Sequence, residues 1–356
     1  MKTRRYGWSV AICNWVASLA ILFLVQVGCA ETNEKAAPRP TGNEASRLLE
    51  NAAPKPLPED VVKQWMDAGA DVGWSRINQD GVLEITGGRP ITSQDVPALI
   101  FYNSAEGLRA DLPDPGTAFG LGLANTKVGN AELKELAGFK SLQSLSLRWD
   151  KISHIGLKEL AGLSGLEWLD LRYTNMMHAD FKELAGLTRL QWLDLGHTQV
   201  SDAGVKNLAV LPNLQSLFLD DTRVTDAGLE QLARLTSLQT LYLSQTDVTD
   251  TGVKHLAGLT NLQTLDLTGI WVTDTGLKHV AELTSLHTLG LGGTRVTDAG
   301  LKELAKLERL QTLALASTDV TVAGLKALAT FKRLQALGLS ATAVTDVDLG
   351  HVHTLL

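Results

Sequence analysis

The chain has 356 residues, 44% of them hydrophobic and 20% charged, so it is long enough to bury a large core. Its formal net charge of -7 at pH 7 argues against nucleic acid as a partner, because an acidic surface repels phosphate backbones. Both cysteines, Cys13 and Cys29, lie near the N-terminus. The remainder of the chain therefore has no disulfide framework, no cysteine-based zinc site and no cysteine nucleophile.

Residues 1–29 have the layout of a secretory signal, with three basic residues before an apolar run. Three endings are open. Val27, Gly28 and Cys29 resemble the end of a bacterial lipobox, whose cysteine is lipidated. Cleavage after Ala30 would instead give a soluble product, and about 20 apolar residues are enough for an uncleaved membrane anchor. We predict an exported protein attached to the cell envelope through lipidated Cys29, with a secreted or periplasmic soluble form as the alternative.

Residues 30–58 are rich in proline, alanine and glutamate and have almost nothing to bury, which predicts a disordered tether. Order is predicted to resume in residues 59–117, with a helix over Glu59–Ala68 followed by two apolar runs. A non-repeating region of this kind covers the first strand of a repeat array, so we assign it as an N-terminal cap. Trp65 and Trp74 are expected in its core, and a ligand pocket is the alternative.

From residue 118 to residue 356, a 24-residue pattern recurs ten times without insertion or deletion. Its form is Leu-x-Leu-x-x-Thr-x-Val-Thr-Asp-x-Gly-Leu-x-x-Leu-Ala-x-Leu-x-x-Leu-Gln-x. The opening leucines are Leu121, Leu145, Leu169, Leu193, Leu217, Leu241, Leu265, Leu289, Leu313 and Leu337. Leu-x-Leu alternates like a strand, and the later leucines follow helical spacing. Such units cannot bury their leucines alone, so they must stack into a parallel sheet with helices behind it.

Three recurring columns have structural explanations. The Thr-Asp pair, as in Thr225-Asp226, is predicted to cap a helix by accepting an orphan amide N–H. A calcium ladder is the alternative, which one carboxylate per repeat disfavours. The threonines that follow the strands, such as Thr222, are predicted to bond backbone groups up the stack. Glycines such as Gly228 are predicted to permit close contact between adjacent helices.

The repeats resemble the leucine-rich repeat family, and specifically the bacterial relatives of its cysteine-containing subtype, through Val-Thr-Asp-Ala-Gly-Leu-Lys-x-Leu-Ala-x-Leu. The resemblance covers residues 118–356. It implies an α/β leucine-rich-repeat solenoid, a horseshoe of ten 24-residue strand-helix units with a concave parallel sheet and an N-terminal cap. It also implies protein binding through the concave sheet, which is the usual mode of this family.

The strand positions that flank the leucines face outward, and copies two to six carry large or charged side chains there. We predict that a protein partner binds these residues: Arg148, Trp168, Asp170, Arg172, Trp192, Asp194, Phe218, Asp220 and Tyr242. The aromatic ones are expected to be the anchors, because exposed rings on a strand have no packing role and rings beside arginines form binding hot spots. In one alternative the rings cover the sheet or pack on the cap. In the other they stack on sugars as a carbohydrate-binding surface.

The sequence does not indicate catalysis. Asp170 and Asp194 lie on adjacent strands, as the acid pair of a glycosidase would. An open face is expected to desolvate them too little to separate their pKa values. His255 and His279 are predicted to be solvated on the helical side rather than to bind a metal. With no phosphate loop and no nucleophile elbow in the sequence, we predict no enzyme, no cofactor and no metal site.

Overall fold

The computed structural model describes residues 55–78, 83–90, 92, 95–177, 181–328 and 331–344. The predicted signal segment, nearly all of the predicted tether and the helical half of the tenth copy lie outside the described residues. Among the helices that are described, none combines the length and the apolar character needed to cross a membrane.

The described strands form one 13-stranded sheet. Its first strands are β1 (Asp71–Ile77), β2 (Leu83–Gly87) and β3 (Val96–Ile100), with β1 antiparallel to both others. One strand per repeat follows: β4 (Phe119–Gly122), β5 (Leu142–Ser146), β6 (Trp168–Asp170), β7 (Trp192–Asp194), β8 (Ser216–Phe218), β9 (Thr240–Tyr242), β10 (Thr264–Asp266), β11 (Thr288–Gly290), β12 (Thr312–Ala314) and β13 (Ala336–Gly338). From β3 onward neighbours are parallel, and the opening leucines of adjacent copies lie directly opposite each other. The predicted parallel sheet of ten repeat strands is confirmed.

Helical segments on the other face return the chain between strands. The α-helices are α1 (Glu59–Asp67) in the cap, α2 (Leu157–Leu160), α3 (Asp202–Leu208), α4 (Asp226–Leu232), α5 (Asp250–Val253), α6 (Asp274–Val280), α7 (Asp298–Glu303) and α8 (Val322–Leu328). Tighter 3-10 turns occupy Glu132–Gly138, His154–Gly156, Phe181–Gly186, Lys254–Gly258 and Leu304–Lys306. Copies one to three lack the Thr-Asp pair, and their helical segments are mostly of the tighter kind. The described leucines of both layers are buried between sheet and helices, except Leu334, Leu337 and Leu339 at the C-terminal end, which are partly buried.

The threonine column stabilises each turn within its own repeat. Thr222 Oγ1 donates to the Leu219 carbonyl at 2.6 Å, and Thr126 Oγ1 donates to the Leu123 carbonyl at 2.6 Å. The predicted bonds to backbone groups up the stack are therefore wrong for these hydroxyls, although Thr126 Oγ1 also lies 3.4 Å from the Asp150 side chain of the next repeat. The chain turns sharply after its second leucine, which brings the carbonyl three residues back within reach of the threonine.

In the Thr-Asp pair, the threonine caps the helix of its own repeat and the aspartate bonds the next repeat. Thr225 Oγ1 accepts the Ala227 N–H at 3.3 Å and so caps α4 as predicted. The aspartate does not cap its own helix. Asp202 instead accepts from both the backbone N–H and the hydroxyl of Thr225 in the next copy, at 2.8 and 2.7 Å. In the following copies the same bonds are donated by Thr249, Thr273, Thr297 and Thr321 and accepted by Asp226, Asp250, Asp274 and Asp298, respectively.

The glycine column makes room for these aspartates. A Cβ on Gly252 would lie 2.4 Å from Asp226 Oδ1 and 2.9 Å from its Cα. Any larger residue would force adjacent repeats apart, because real Cβ contacts are longer than this. The predicted close contact between neighbouring helices is confirmed.

The cap continues the hydrophobic core beyond the first repeat. Trp65 is fully buried, with ring centroids of Phe139, Phe101 and Phe119 at 5.1, 6.2 and 6.2 Å. Its Nε1 donates to the Pro113 carbonyl at 2.9 Å. Trp65 is therefore a core residue, as predicted. The predicted cap helix is also present, as α1. Strand β1 was not expected from the sequence.

Strands β1 and β2 form a hairpin (the cap hairpin) that curls back over the concave face, the face of the sheet opposite the helices. Ser75 Oγ and Ser144 Oγ are 2.8 Å apart. A Cβ on Gly120 would lie 2.9 Å from Ser75 Cβ, and one on Gly122 would lie 3.1 Å from Ile85 Cγ2. The small residues at the start of the array therefore leave space for the hairpin.

Candidate functional site

The cap hairpin reaches the aromatic residues of the concave face. Leu83 on β2 joins Trp192 and Phe218 in one buried apolar cluster, in which Trp192 and Phe218 are each only 2% exposed. Trp168 and Tyr242 are partly buried against it. The expectation that these rings point into water is wrong for Trp192 and Phe218. The alternative that they pack against each other and against the cap is correct for both, because the hairpin supplies the apolar surface that covers them.

A buried charge cluster lies beside these rings: Asp170, Arg172, Asp194 and Asp220. Arg172 donates to Asp194 Oδ2 at 3.3 Å and to Asp220 Oδ2 at 2.5 Å. Asp170 Oδ1 accepts the backbone N–H of Arg172 at 3.0 Å. A Cβ on Gly196 would stand 2.9 Å from Asp220 Oδ2 and 3.0 Å from Asp194 Oδ1, so glycine at this position leaves room for the two carboxylates.

Six of the nine predicted contact residues are thus buried, and their predicted exposure is wrong. They are Asp170, Arg172, Trp192, Asp194, Phe218 and Asp220. The other three, Arg148, Trp168 and Tyr242, remain partly exposed. Neighbouring repeats and the hairpin together close over strand positions that would be open in a bare solenoid.

Burial changes the acid chemistry of this face. It raises the pKa of Asp170, and it raises the pKa of Asp194 to about 7, with the charge of Asp170 adding to the effect and that of Arg172 opposing it. The expectation of little desolvation is therefore wrong. Asp194 is nevertheless only 1% exposed and Asp170 only 3%, so a substrate in solvent does not reach this acid pair.

Three rings at the edge where the strands end form an aromatic ladder: Trp149, Tyr173 and His197. The ring centroids of Trp149 and Tyr173 are 3.6 Å apart, and those of Tyr173 and His197 are 4.3 Å apart. Both pairs are parallel to within 6°. Trp149 is 55% exposed. These residues were not among the predicted contact residues, since they lie one position beyond the outward-facing columns.

The backbone of the ladder lies in the left-handed region. The φ angles of Trp149, Tyr173 and His197 are 66°, 60° and 53°. Other copies hold mostly small or polar residues at this position, all with positive φ: Asn125, Asp221, Gln245, Gly269, Gly293, Ser317 and Ala341. Positive φ is uncommon for bulky residues and costs on the order of 1–3 kcal/mol each. The asparagine and glycines in this column were the sequence signal that could have revealed the conformation.

Polar groups hold the ladder in place. The guanidinium carbons of Arg148 and Arg172 lie 5.5 and 5.6 Å from the Tyr173 ring centroid, within range of a cation–π interaction. His197 Nδ1 is 2.8 Å from Asp221 Oδ2, and its Nε2 is 3.5 Å from Asp220 Oδ2. The ladder is therefore joined to the buried charge cluster.

Over the part of the chain that the structure describes, no group of three or more His, Cys, Asp or Glu side chains is arranged to hold a metal ion.

Comparisons with known proteins address the repeats. One family model described as leucine-rich repeat matches residues 140–200 and 212–269. A second model with the same description matches residues 258–281 and 282–305. No curated protein matches the chain.

Three similar solved structures are bacterial. An internalin (InlF) of Listeria monocytogenes has a TM-score of 0.50 and 24% identity over 66% of this chain and 71% of that one, which shows a common fold. An internalin C2 of the same species has a TM-score of 0.48 and 28% identity over 60% and 84%. A leucine-rich repeat protein of Leptospira interrogans has a TM-score of 0.48 and 23% identity over 67% and 70%. The family matches fall on the stacked strand-helix units described above, and the fold is that of a leucine-rich repeat solenoid.

Proposed function

We propose that this protein is a non-catalytic protein-binding module whose partner docks on the aromatic ladder and on the neighbouring open part of the concave face. One observation carries the proposal. Three consecutive repeats place stacked aromatic rings, at least one of them largely exposed, in backbone positions that bulky residues rarely adopt. Leucine-rich repeat domains generally mediate protein–protein interaction, which agrees with this role.

The fold does not need rings at these positions, because Asn125, Ser317 and Ala341 occupy the same place in other copies. Aromatic residues supported by arginine are typical of binding hot spots. Strain retained at an exposed site is typical of functional positions. The ladder therefore supports a binding role better than a structural one.

The predicted contact surface enters the proposal in a reduced form. Arg148, Trp168 and Tyr242 are partly exposed and adjoin the ladder or the cluster that contains Leu83 of the cap hairpin, so we propose them as further contacts. The buried residues of the predicted set support these contacts from below. A carbohydrate-binding role for this face is less well supported, because a sugar stacks on a free ring face and the faces between ladder members are already occupied.

The ladder is tested with the double variant Trp149→Ala/Tyr173→Ala. A partner captured from envelope and secreted fractions is expected to bind the variant at least thirtyfold more weakly, since losing a hot spot costs about 2 kcal/mol or more. Trp271→Ala is the matched control. Trp271 is 57% exposed and follows a repeat strand, but it lies outside the ladder and two positions further along its repeat than Trp149 does. Loss of the partner in the control with retention in the ladder variant would contradict the proposal.

We also propose that the mature protein is exported and held in the cell envelope by lipidation of Cys29, on the basis of the layout of residues 1–29. The link to bacterial relatives of the cysteine-containing subtype likewise rests on the repeat sequence. Metabolic labelling with a tagged fatty acid is expected to mark the parent protein and not Cys29→Ser. Equal labelling of both proteins would reject lipidation.

A further inference from the structure

A polar groove runs along the edge of the sheet where the strands begin, opposite the edge that carries the aromatic ladder. Its volume is about 480 Å³. Five consecutive repeats line it through Asn213, Gln215, Ser237, Gln239, Asn261, Gln263, Ser285, His287 and Arg309. None of these lining residues is a carboxylate, although acidic residues outnumber basic ones in the chain as a whole. The groove is therefore suited to a neutral or anionic polar ligand.

The asparagine side chains of the groove are fixed by the preceding repeat. Asn213 Nδ2 donates to the Thr188 carbonyl at 2.7 Å, and Asn261 Nδ2 donates to the Thr236 carbonyl at 2.9 Å. These bonds use a donor and leave the side-chain oxygen of each amide as an acceptor. The wall of the groove is thus ordered before any ligand arrives, which lowers the entropic cost of binding.

The glutamines of the groove have unused hydrogen-bonding groups. Among the described residues, the side-chain amides of Gln215, Gln239 and Gln263 have no protein hydrogen-bond partner. Gln143 occupies the same column outside the groove, and there Nε2 donates to Glu167 Oε2 at 2.7 Å. The glutamine side chain of this column is therefore hydrogen-bonded within the protein at Gln143 and available to a ligand at the groove.

The spacing of the open amides restricts the ligand. Neighbouring strands lie about 4.8 Å apart, so the open amides of Gln215, Gln239 and Gln263 recur at that interval over roughly 10 Å of a five-repeat groove that is roughly 19 Å long. The groups on one side of an extended peptide recur only every two residues, at about 6.6–6.8 Å, and fall out of phase with this interval. A chain of sugar rings presents several hydroxyl donors and acceptors on every ring and can match each amide in turn. Arg309 ends the row with a permanent positive charge.

We propose that this groove binds an extended oligosaccharide, with an acidic group of that chain at the Arg309 end. The amides and serines of successive repeats bond the hydroxyls, and Arg309 pairs with the carboxylate of a uronic acid. Because the groove offers no aromatic ring for stacking, hydrogen bonds over several repeats carry the affinity. This site is distinct from the aromatic ladder and does not depend on the protein partner proposed above.

The test uses a galacturonic acid hexasaccharide and a neutral β-linked glucose hexasaccharide as probes in calorimetric titrations. The acidic probe is expected to bind the parent protein more tightly than the neutral one. Gln239→Ala/Gln263→Ala is expected to weaken its binding about tenfold, because two neutral hydrogen bonds are lost. Arg309→Ala is expected to abolish the preference for the acidic probe. Gln335→Ala, in the same column beyond the groove, is the matched control and is expected to bind like the parent.

The proposal would be overturned if neither hexasaccharide binds the parent protein. So would binding that survives the double glutamine substitution, or an equal loss in Gln335→Ala. A neutral probe that binds the parent as tightly as the acidic one would overturn the role of Arg309. The double variant Trp149→Ala/Tyr173→Ala leaves the groove intact and is expected to bind the hexasaccharides like the parent. Failure of the proposed protein-binding role and failure of the proposed oligosaccharide site therefore give different results.

Discussion

Trp192→Ala is expected to destabilise the junction between the cap hairpin and the repeats by about 3–5 kcal/mol, the usual cost of truncating a large buried aromatic side chain. Trp192 is 2% exposed, and its ring centroid is 5.0 Å from that of Phe218. Leu83 completes the cluster from the hairpin. The substitution therefore leaves a cavity under β2 and removes the apolar contact that holds the hairpin over the concave face.

The effect is expected to be local, because each unit of a solenoid contacts only its neighbours. Hydrogen exchange is the suitable measurement, and faster exchange is expected in Asp71–Ile77 and Leu83–Gly87 while the distant copies remain protected. Trp271→Ala is the control. Its ring is 57% exposed and contacts the Arg295 guanidinium at 4.6 Å, so its loss is expected to cost about 1 kcal/mol or less. Unchanged exchange of the hairpin in Trp192→Ala would mean that Trp192 serves a partner rather than the fold.

The repeating part of the fold could be predicted because each structural requirement recurs every 24 residues. Leucines at one phase give the core, and glycines such as Gly252 mark the place where an aspartate of the previous copy approaches. Local chemistry was less predictable. The Thr222 hydroxyl bonds within its own repeat, whereas Asp202 bonds the next repeat. A residue that recurs once per repeat gives the same sequence pattern in both cases, so the pattern does not distinguish them.

The cap hairpin could not be predicted from periodicity because it occurs once. Its position depends on contacts distant in sequence, such as Ser75 with Ser144 and Leu83 with Trp192. One signal was present, since the first two repeat strands carry only small residues, Gly120, Gly122 and Ser144, on the concave face. Small residues alone do not indicate which segment covers them. The exposure of the aromatic residues was therefore misjudged, although their positions on the strands were correct.

Asp194→Asn is expected to make the protein more stable relative to the parent as the pH is raised, by about 3 kcal/mol between pH 5 and pH 8. Burial, with the charge of Asp170 adding to it, raises the pKa of Asp194 from 3.8 to about 7. Between these values the folded protein retains a proton that the unfolded chain has lost. The stability of the parent therefore falls as the pH rises towards 7, and the loss is complete above that value. Asparagine is neutral throughout and avoids this loss.

The measurement is the denaturant concentration at half-unfolding, followed at pH 5 and pH 8 for both proteins. At pH 5 Asp194 is already protonated in the folded state, so the two proteins should differ little. At pH 8 the variant should be the more stable, because Arg172 keeps Asp220 as a partner at 2.5 Å. Asp247→Asn is the control, since that carboxylate is exposed, and it should shift with pH as the parent does. A variant that is less stable than the parent at pH 8 would show that the ion pair between Asp194 and Arg172 outweighs the cost of burying the charge.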